Sequence, residues 1–170
     1  SSAASDVYKR QLLVRDLIKL YAPYIGRTLN KRELDEARKV LECEGFSRTL
    51  GIVYDEISPD RVVAHLDVGP QFCQPMGIVH GGIYASLVED VGSLAAWWWL
   101  GGRKLAVGSS NDTDFLRPVT EGRLTATATP LHRGRTQQIW IVDIVRDDGK
   151  QAAQGKLHLA NLSLDSLPDR

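Results

Sequence analysis

The apolar residues change their spacing along the chain. From Leu12 to about Leu50 they recur every three or four positions, first as Leu13, Leu17 and Leu20 and then as Leu34, Ala37, Val40 and Leu41, around a break at Pro23 and Gly26. Two short packing helices are expected there. From Gly51 onward β-forming residues dominate, and the pattern predicts strands over 51–57 and 61–68 joined by the turn Ser58-Pro59-Asp60. Further strands are predicted over 105–115, 123–131, 136–145 and 151–160. The turns between them are Arg117-Pro118, His132-Arg133-Gly134-Arg135 and Asp147-Asp148-Gly149-Lys150, whose Asp-Gly is a strong hairpin signal. The expected layout is two strands, a long helix, then four strands in a meander.

The helix lies in QPMGIVHGGIYASLVEDVGSLAAWWWL, Gln74 to Leu100. Pro75 and Gly77 bar an earlier start, Gly81-Gly82 permits one, and the pattern runs to about Trp99. On a wheel of about 100° per residue, Gly82, Ala85, Ser86, Gly92, Ser93 and Ala96 fall within about 60° of Glu89. All are small. The opposite face carries Ile83, Tyr84, Leu87, Val91, Leu94 and Trp98, a stripe expected to bury itself against a curved sheet. Glu89 therefore projects from a strip that a backbone or slender ligand can approach, or else it is a solvated residue beside a packing seam. A carboxylate near such a seam is costly unless paired or used, and no Lys or Arg lies three or four residues away. Asp90 falls to the side.

The start of the same helix carries a second chemical feature. His80-Gly81-Gly82 presents free backbone N–H groups at the positive end of the helix dipole, where a polarised carbonyl is stabilised. Eight residues at 1.5 Å each put Glu89 ~12 Å along the axis from Gly81, too far for both to act on one carbonyl. A site using both needs two copies of the helix, packed antiparallel across a two-fold axis.

Composition narrows the class. The chain has 170 residues, 43% of them hydrophobic and 25% charged, the proportions of one globular domain. Lys+Arg and Asp+Glu are both 21, so no global field draws in nucleic acid or an anionic membrane, and any anion must meet a local basic cluster. Cys43 and Cys73 make no disulfide framework and no apolar run approaches bilayer length, so a soluble cytoplasmic protein is expected. His65 and His158 stand alone on strand patterns, and no metal site is expected. Ser1 to Gln11 has little pattern and resembles translated adapter read-through. The expected division is a non-native or disordered leader over 1–11, a helical extension over 12–45, the main domain over 46–162 and a tail over 163–170.

An ordered set of residues resembles a known family. Gln74-Pro75, Gly77 to Gly82 with its His-Gly-Gly, and Glu89 nine residues after His80 are followed by Val107-Gly108 and Asp114-Phe115-Leu116-Arg117. Pro130-Leu131-His132-Arg133-Gly134-Arg135 comes next, with Gln138 and Trp140. Over roughly Phe46 to Leu162 this is similar to the PaaI-like hotdog-fold thioesterases, the group of the 4-hydroxybenzoyl-CoA and 1,4-dihydroxy-2-naphthoyl-CoA thioesterases. The resemblance implies an α+β hotdog fold, a curved antiparallel sheet wrapped around one long central helix. It also implies hydrolysis of an acyl-CoA thioester with no cofactor, coenzyme A being part of the substrate.

In this resemblance Glu89 is the catalytic carboxylate, as nucleophile or as general base toward water. The Gly81 N–H polarises the thioester carbonyl, His80 shapes that pocket, Gln74 positions the thioester or water, and Ser93 holds water or the acyl group. Coenzyme A binding is implied for Gly108, for Phe115, Leu116, Arg117 and Pro118, and for His132, Arg133, Gly134, Arg135, Thr136 and Gln137. Arg117, Arg133 and Arg135 suit phosphates. The implied assembly is a homodimer with shared active sites, further paired as a dimer of dimers. A non-catalytic hotdog protein binding acyl-CoA as a regulatory ligand is the rival reading, and Glu89 with Gln74 favours the enzyme. Tyr84 and the Trp97-Trp98-Trp99 run lean toward an aromatic acyl group. Of those three rings, one is expected in the core and another at an interface.

Overall fold

The structure, a computed structural model, describes residues 14–42 and 45–166. The expected leader, Leu13, Cys43 and the end of the tail, 167–170, lie outside them. Helix α1 spans Val14–Tyr21 and α2 Lys31–Leu41. Asn30 caps α2: its side chain accepts from the Glu33 N–H while the Glu33 carboxylate accepts from the Asn30 N–H. A third, shorter helix α3, Gly45–Leu50, follows where only two helices were expected. Then come β1 Val53–Ile57, β2 Val62–Asp67, the long helix α4 Gly81–Leu100, β3 Lys104–Phe115, β4 Arg123–Arg133, β5 Gln137–Arg146 and β6 Gln151–Ser163.

The strands form one six-stranded antiparallel sheet in the order β1-β2-β4-β5-β6-β3, and α4 packs along it. The expected four-strand meander is corrected here. Only β4, β5 and β6 form one, while β3 pairs with β6 at the far edge and 116–122 returns the chain to β4. Strand pattern reports that a segment is β, not which neighbour it finds; α4 delivers the chain to the opposite edge of the sheet from β2.

The two edges differ. On β1, the Tyr54 N–H donates to the Glu42 carboxylate, the Tyr54 carbonyl accepts from Arg38 Nε at 2.6 Å, and the Ile57 carbonyl accepts from the Leu29 N–H at 3.0 Å. The chain's own extension thus occupies that edge. The outer edge of β3, 12 residues long, has no strand partner among the described residues, and Gly108 to Asp112 are exposed. A long open edge is a template for another strand.

The sheet wraps more of α4 than one stripe. Tyr84, Leu87, Val91, Leu94 and Trp98 are buried as the wheel implies and Ile83 only partly, but Val88 is buried too, as are Gly92 and Ala96, counted in the small strip around Glu89. A Cβ on Gly92 would lie 2.7 Å from Leu157 Cδ2, and one on Gly155 would lie 2.3 Å from Val88 Cγ2. Gly92 therefore faces the sheet, Ala96 is buried with it, and the open strip reduces to Gly82, Ala85, Ser86, Glu89 and Ser93.

The Trp run joins α4 to the extension. Trp98 is fully buried and its Nε1–H donates to the Arg27 carbonyl at 2.8 Å. Tyr21, itself buried, makes edge contacts with Trp97 and Trp98 at 5.7 and 5.8 Å between centroids. Trp99 lies against the Arg133 guanidinium, 5.4 Å from its ring centre. Among the described residues no helix is long and apolar enough to cross a membrane.

Candidate active site

At the start of α4, His80 is the N-cap residue. Its backbone is extended and its Nδ1 accepts from the Gly82 N–H at 2.9 Å. The cap satisfies Gly82 and leaves the Gly81 N–H with no hydrogen-bond acceptor among the described residues. Glycine there leaves room for the Phe115 ring, which a Cβ would approach to 2.6 Å and displace. The preceding loop is tied tightly: the Gln74 N–H donates to the Ile78 carbonyl, the Gly77 N–H to the Gln74 carbonyl, and the His80 N–H to the Phe72 carbonyl, each at 2.8 Å. This holds Gln74 on the wall of a cleft of about 480 Å³, together with Gly81, Tyr84, Phe115, Leu116, Arg117 and Pro118. The Tyr84 hydroxyl is buried without a partner among the described residues, and burial raises its pKa above the usual tyrosine value, keeping it protonated.

Glu89 lies two turns further along the same helix, outside that cleft. Its side chain is exposed, Ser93 Oγ donates to its Oε1 at 3.4 Å, and among the described residues no Lys or Arg forms an ion pair with it. Strand β3 crosses directly above. A Cβ on Gly108 would lie 2.3 Å from Glu89 Oε1, so glycine lets that strand pass over the carboxylate without turning it. A second cleft of about 300 Å³ opens beside it, lined by Phe46, Ala85, Ser86, Glu89, Asp90 and Asn111.

Asp90 is a structural carboxylate. It accepts hydrogen bonds from the Ser47 hydroxyl of α3 and from the Tyr54 hydroxyl of β1. Burial first, and then the Asp90 charge, raise the Tyr54 pKa well above the usual value. The wheel separates Asp90 from Glu89, but its partners, 43 and 36 residues away in sequence, leave no local signal.

The turn His132 to Gln137 forms a third group. A buried polar chain supports it: Trp140 Nε1–H donates to Gln138 Oε1, Gln138 Nε2 to Asn161 Oδ1 at 2.7 Å and to the Ala96 carbonyl of α4, and Asn161 Nδ2 to the Gly134 carbonyl at 2.9 Å. The Thr136 carbonyl accepts from the Asn161 N–H and the Gln137 carbonyl from the Gly134 N–H. Lys104 Nζ donates to the Arg135 carbonyl. His132 folds over Gly134, where a Cβ would lie 2.7 Å from its Nε2. The arginines differ in their freedom. Arg133 pairs with Asp60 at 2.7 Å and Arg117 donates to the Gln151 carbonyl at 2.7 Å, whereas Arg135 is exposed with no ion pair among the described residues.

One chain therefore brings Gln74, His80, Gly81 and Phe115–Pro118 together at one pole, and Glu89, Ser93 and Gly108 at another. The turn lies beyond the second pole, toward the C-terminal end of α4. Asp90, Tyr54 and the Gln138–Asn161 pair escape sequence reasoning about the site, although Gln138 stands in the quoted motif.

The chain is similar to known proteins in sequence and in fold. The family described as the thioesterase superfamily matches residues 76–153. The Mycobacterium tuberculosis protein Rv1847 is 43% identical over 120 residues, 69% of this chain and 86% of that protein. The proofreading thioesterase EntH of Klebsiella pneumoniae is 32% identical over 133 residues, 78% of this chain and 97% of that one. The crystal structure of thioesterase HI1161 from Haemophilus influenzae superposes with a TM-score of 0.72 at 31% identity, covering 82% of this chain and 95% of that one. With its six-stranded sheet packed on one long helix, the chain belongs to the hotdog-fold thioesterase superfamily and is a thioester hydrolase.

Proposed function

We propose that the protein hydrolyses a CoA thioester, with an aromatic acyl group favoured, at two equivalent sites of a homodimer. Each site takes its Gly81 pole from one subunit and its Glu89 pole from the other. The carrying observation is the division of the site along α4: an unpartnered Gly81 N–H at the start of the helix and an exposed Glu89 on its open strip lie ~12 Å apart by helical rise. The open edge of β3 and the exposed apolar side chains of Val107, Phe115 and Leu116 along it and just beyond support pairing with a second copy. Two such dimers associate further as a tetramer.

In this reading the thioester carbonyl accepts from the Gly81 N–H at the positive end of α4, where charge developing on oxygen is stabilised. Gln74 orients the thioester or the water. Glu89 acts on the carbonyl carbon, either by taking a proton from an attacking water or by attacking directly and being released by water. Ser93 steadies its carboxylate. The C–S bond breaks, the sulfur takes up the proton that the water gives up and leaves as the thiol of coenzyme A, and the water's oxygen stays on the acyl carbon in the released acid. Arg135, and Arg117 at the other pole, are the guanidinium groups placed to meet phosphates, and no further cofactor is needed.

Thiol release measured across benzoyl-, decanoyl- and palmitoyl-CoA tests this reading, with Glu89→Gln as the variant. The wild type hydrolyses the aryl thioester best and Glu89→Gln loses at least about a thousandfold in kcat with its circular dichroism unchanged. Wild-type turnover by Glu89→Gln refutes the assignment.

A further inference from the structure

The aspartate beside Glu89 ties the short helix α3 to the site. Its carboxylate accepts from Ser47 of α3 and from Tyr54 of β1, which fixes α3 against α4 one residue beyond Glu89. The residue before Ser47 is Phe46, whose ring stays 64% exposed on the wall of the Glu89 cleft. Ala85 and Ser86 supply only short side chains to the same cleft. Asn111 has its amide nitrogen bound to the Ala85 carbonyl at 2.9 Å. A large apolar ring is thus held open above a floor of small residues, next to a carboxylate with no ion pair among the described residues.

The direction of a bound thioester follows from the other contacts. The turn His132 to Gln137 lies toward the C-terminal end of α4, where Gln138 reaches the Ala96 carbonyl and Lys104 reaches the Arg135 carbonyl. Ala85 and Ser86 precede Glu89 on the helix. A thioester centred on Glu89 with its coenzyme portion toward the turn therefore sends its acyl group the opposite way, into the cleft walled by Phe46. The volume, about 300 Å³, suits a ring-sized group rather than a long alkyl chain.

We infer that Phe46 is a specificity-determining residue, the wall on which a flat acyl group stacks, and that Ser47, Asp90 and Tyr54 are the positioning residues that hold it beside the reacting carbonyl. This rests on the reading of Glu89 as the catalytic carboxylate and of the 132–137 turn as the coenzyme side. It gives α3, the short helix before the first strand, a role in substrate choice.

The test is kcat/KM for benzoyl-CoA, decanoyl-CoA and acetyl-CoA with the full chain as wild type, Phe46→Ala, Phe46→Trp and Ser47→Ala, with Glu89→Gln run beside them. Phe46→Ala lowers the benzoyl-to-acetyl ratio about tenfold, the scale expected for losing one aromatic contact surface. Phe46→Trp keeps most of the ratio, and Ser47→Ala shifts it in the same direction as Phe46→Ala. A ratio in Phe46→Ala within twofold of wild type, with Glu89→Gln inactive, overturns the assignment of Phe46 alone. An active Glu89→Gln overturns the underlying site as well. An equal loss for decanoyl-CoA, or a wild type that does not hydrolyse benzoyl-CoA, overturns the flat acyl group.

Discussion

Replacing Tyr54 by Phe removes one oxygen and leaves the ring, so no apolar cavity forms. What is lost is a hydrogen bond donated to the Asp90 carboxylate by a residue only 3% exposed. A hydrogen bond to a charged group contributes about 1.5–3 kcal/mol, and for a chain of this size that corresponds to a fall in Tm of roughly 3–12 °C. The pH dependence identifies the cause. The folded-state pKa of Tyr54 is raised above its unfolded value near 10, so its contribution is complete below about pH 10 and is lost as pH rises from there through the folded value. Between pH 10 and 11 the advantage of wild type over Tyr54→Phe shrinks by about 1 kcal/mol, because the unfolded tyrosine ionises while the folded one does not. Urea denaturation followed by Trp fluorescence, at fixed protein concentration, measures both effects. The other tyrosines are present in both proteins and cancel. A stability loss below about 0.5 kcal/mol at pH 7, or a difference between the proteins that stays constant from pH 9 to 11, refutes the buried hydroxyl–carboxylate contact as described.

Two further outcomes bear on the poles of the site. Gly108→Ala puts a methyl group 2.3 Å from Glu89 Oε1, so the carboxylate must turn; kcat falls about 10–100-fold in steady-state assays while the urea midpoint moves little, and wild-type kcat would contradict the contact. Arg135→Ala raises KM for CoA thioesters several-fold with kcat nearly constant, most strongly at low salt, while Arg133→Ala also loses about 1 kcal/mol of stability through its Asp60 and Trp99 contacts. Equal KM values for wild type and Arg135→Ala remove that guanidinium from the coenzyme side.

Which parts of this were legible in the sequence follows from how local their causes are. Strand positions came within two or three residues at most ends, since alternation and the Asp-Gly turn after β5 act within a few residues of one another. The helix start at Gly81 was equally local. The place of β3 was not, because its pairing with β6 depends on where α4 delivers the chain. The wheel separated Glu89 from Asp90 correctly, yet it treated the helix as having one buried stripe. Gly92 and Ala96 looked like open space around Glu89 and instead face a sheet that wraps the helix, Gly92 against Leu157. Trp98, on the stripe expected to bury itself against the sheet, is core. Its neighbours meet Tyr21 and Arg133 of the same chain, contacts 76 and 34 residues away that no spacing rule reaches.

The shared site is tested most directly by mixing two inactive variants, Glu89→Ala and Gln74→Ala, one from each pole. In a mixed dimer one site inherits both lesions and the other inherits neither. With equal association half the dimers are mixed and half of their sites are intact, so activity after subunit exchange rises toward about a quarter of wild type. Exchange is followed independently by mass difference between a tagged and an untagged subunit. Recovery near that fraction is the result expected if each site draws Gly81 from one subunit and Glu89 from the other; complete exchange with no recovery would mean that each chain builds its own site, and would contradict the account.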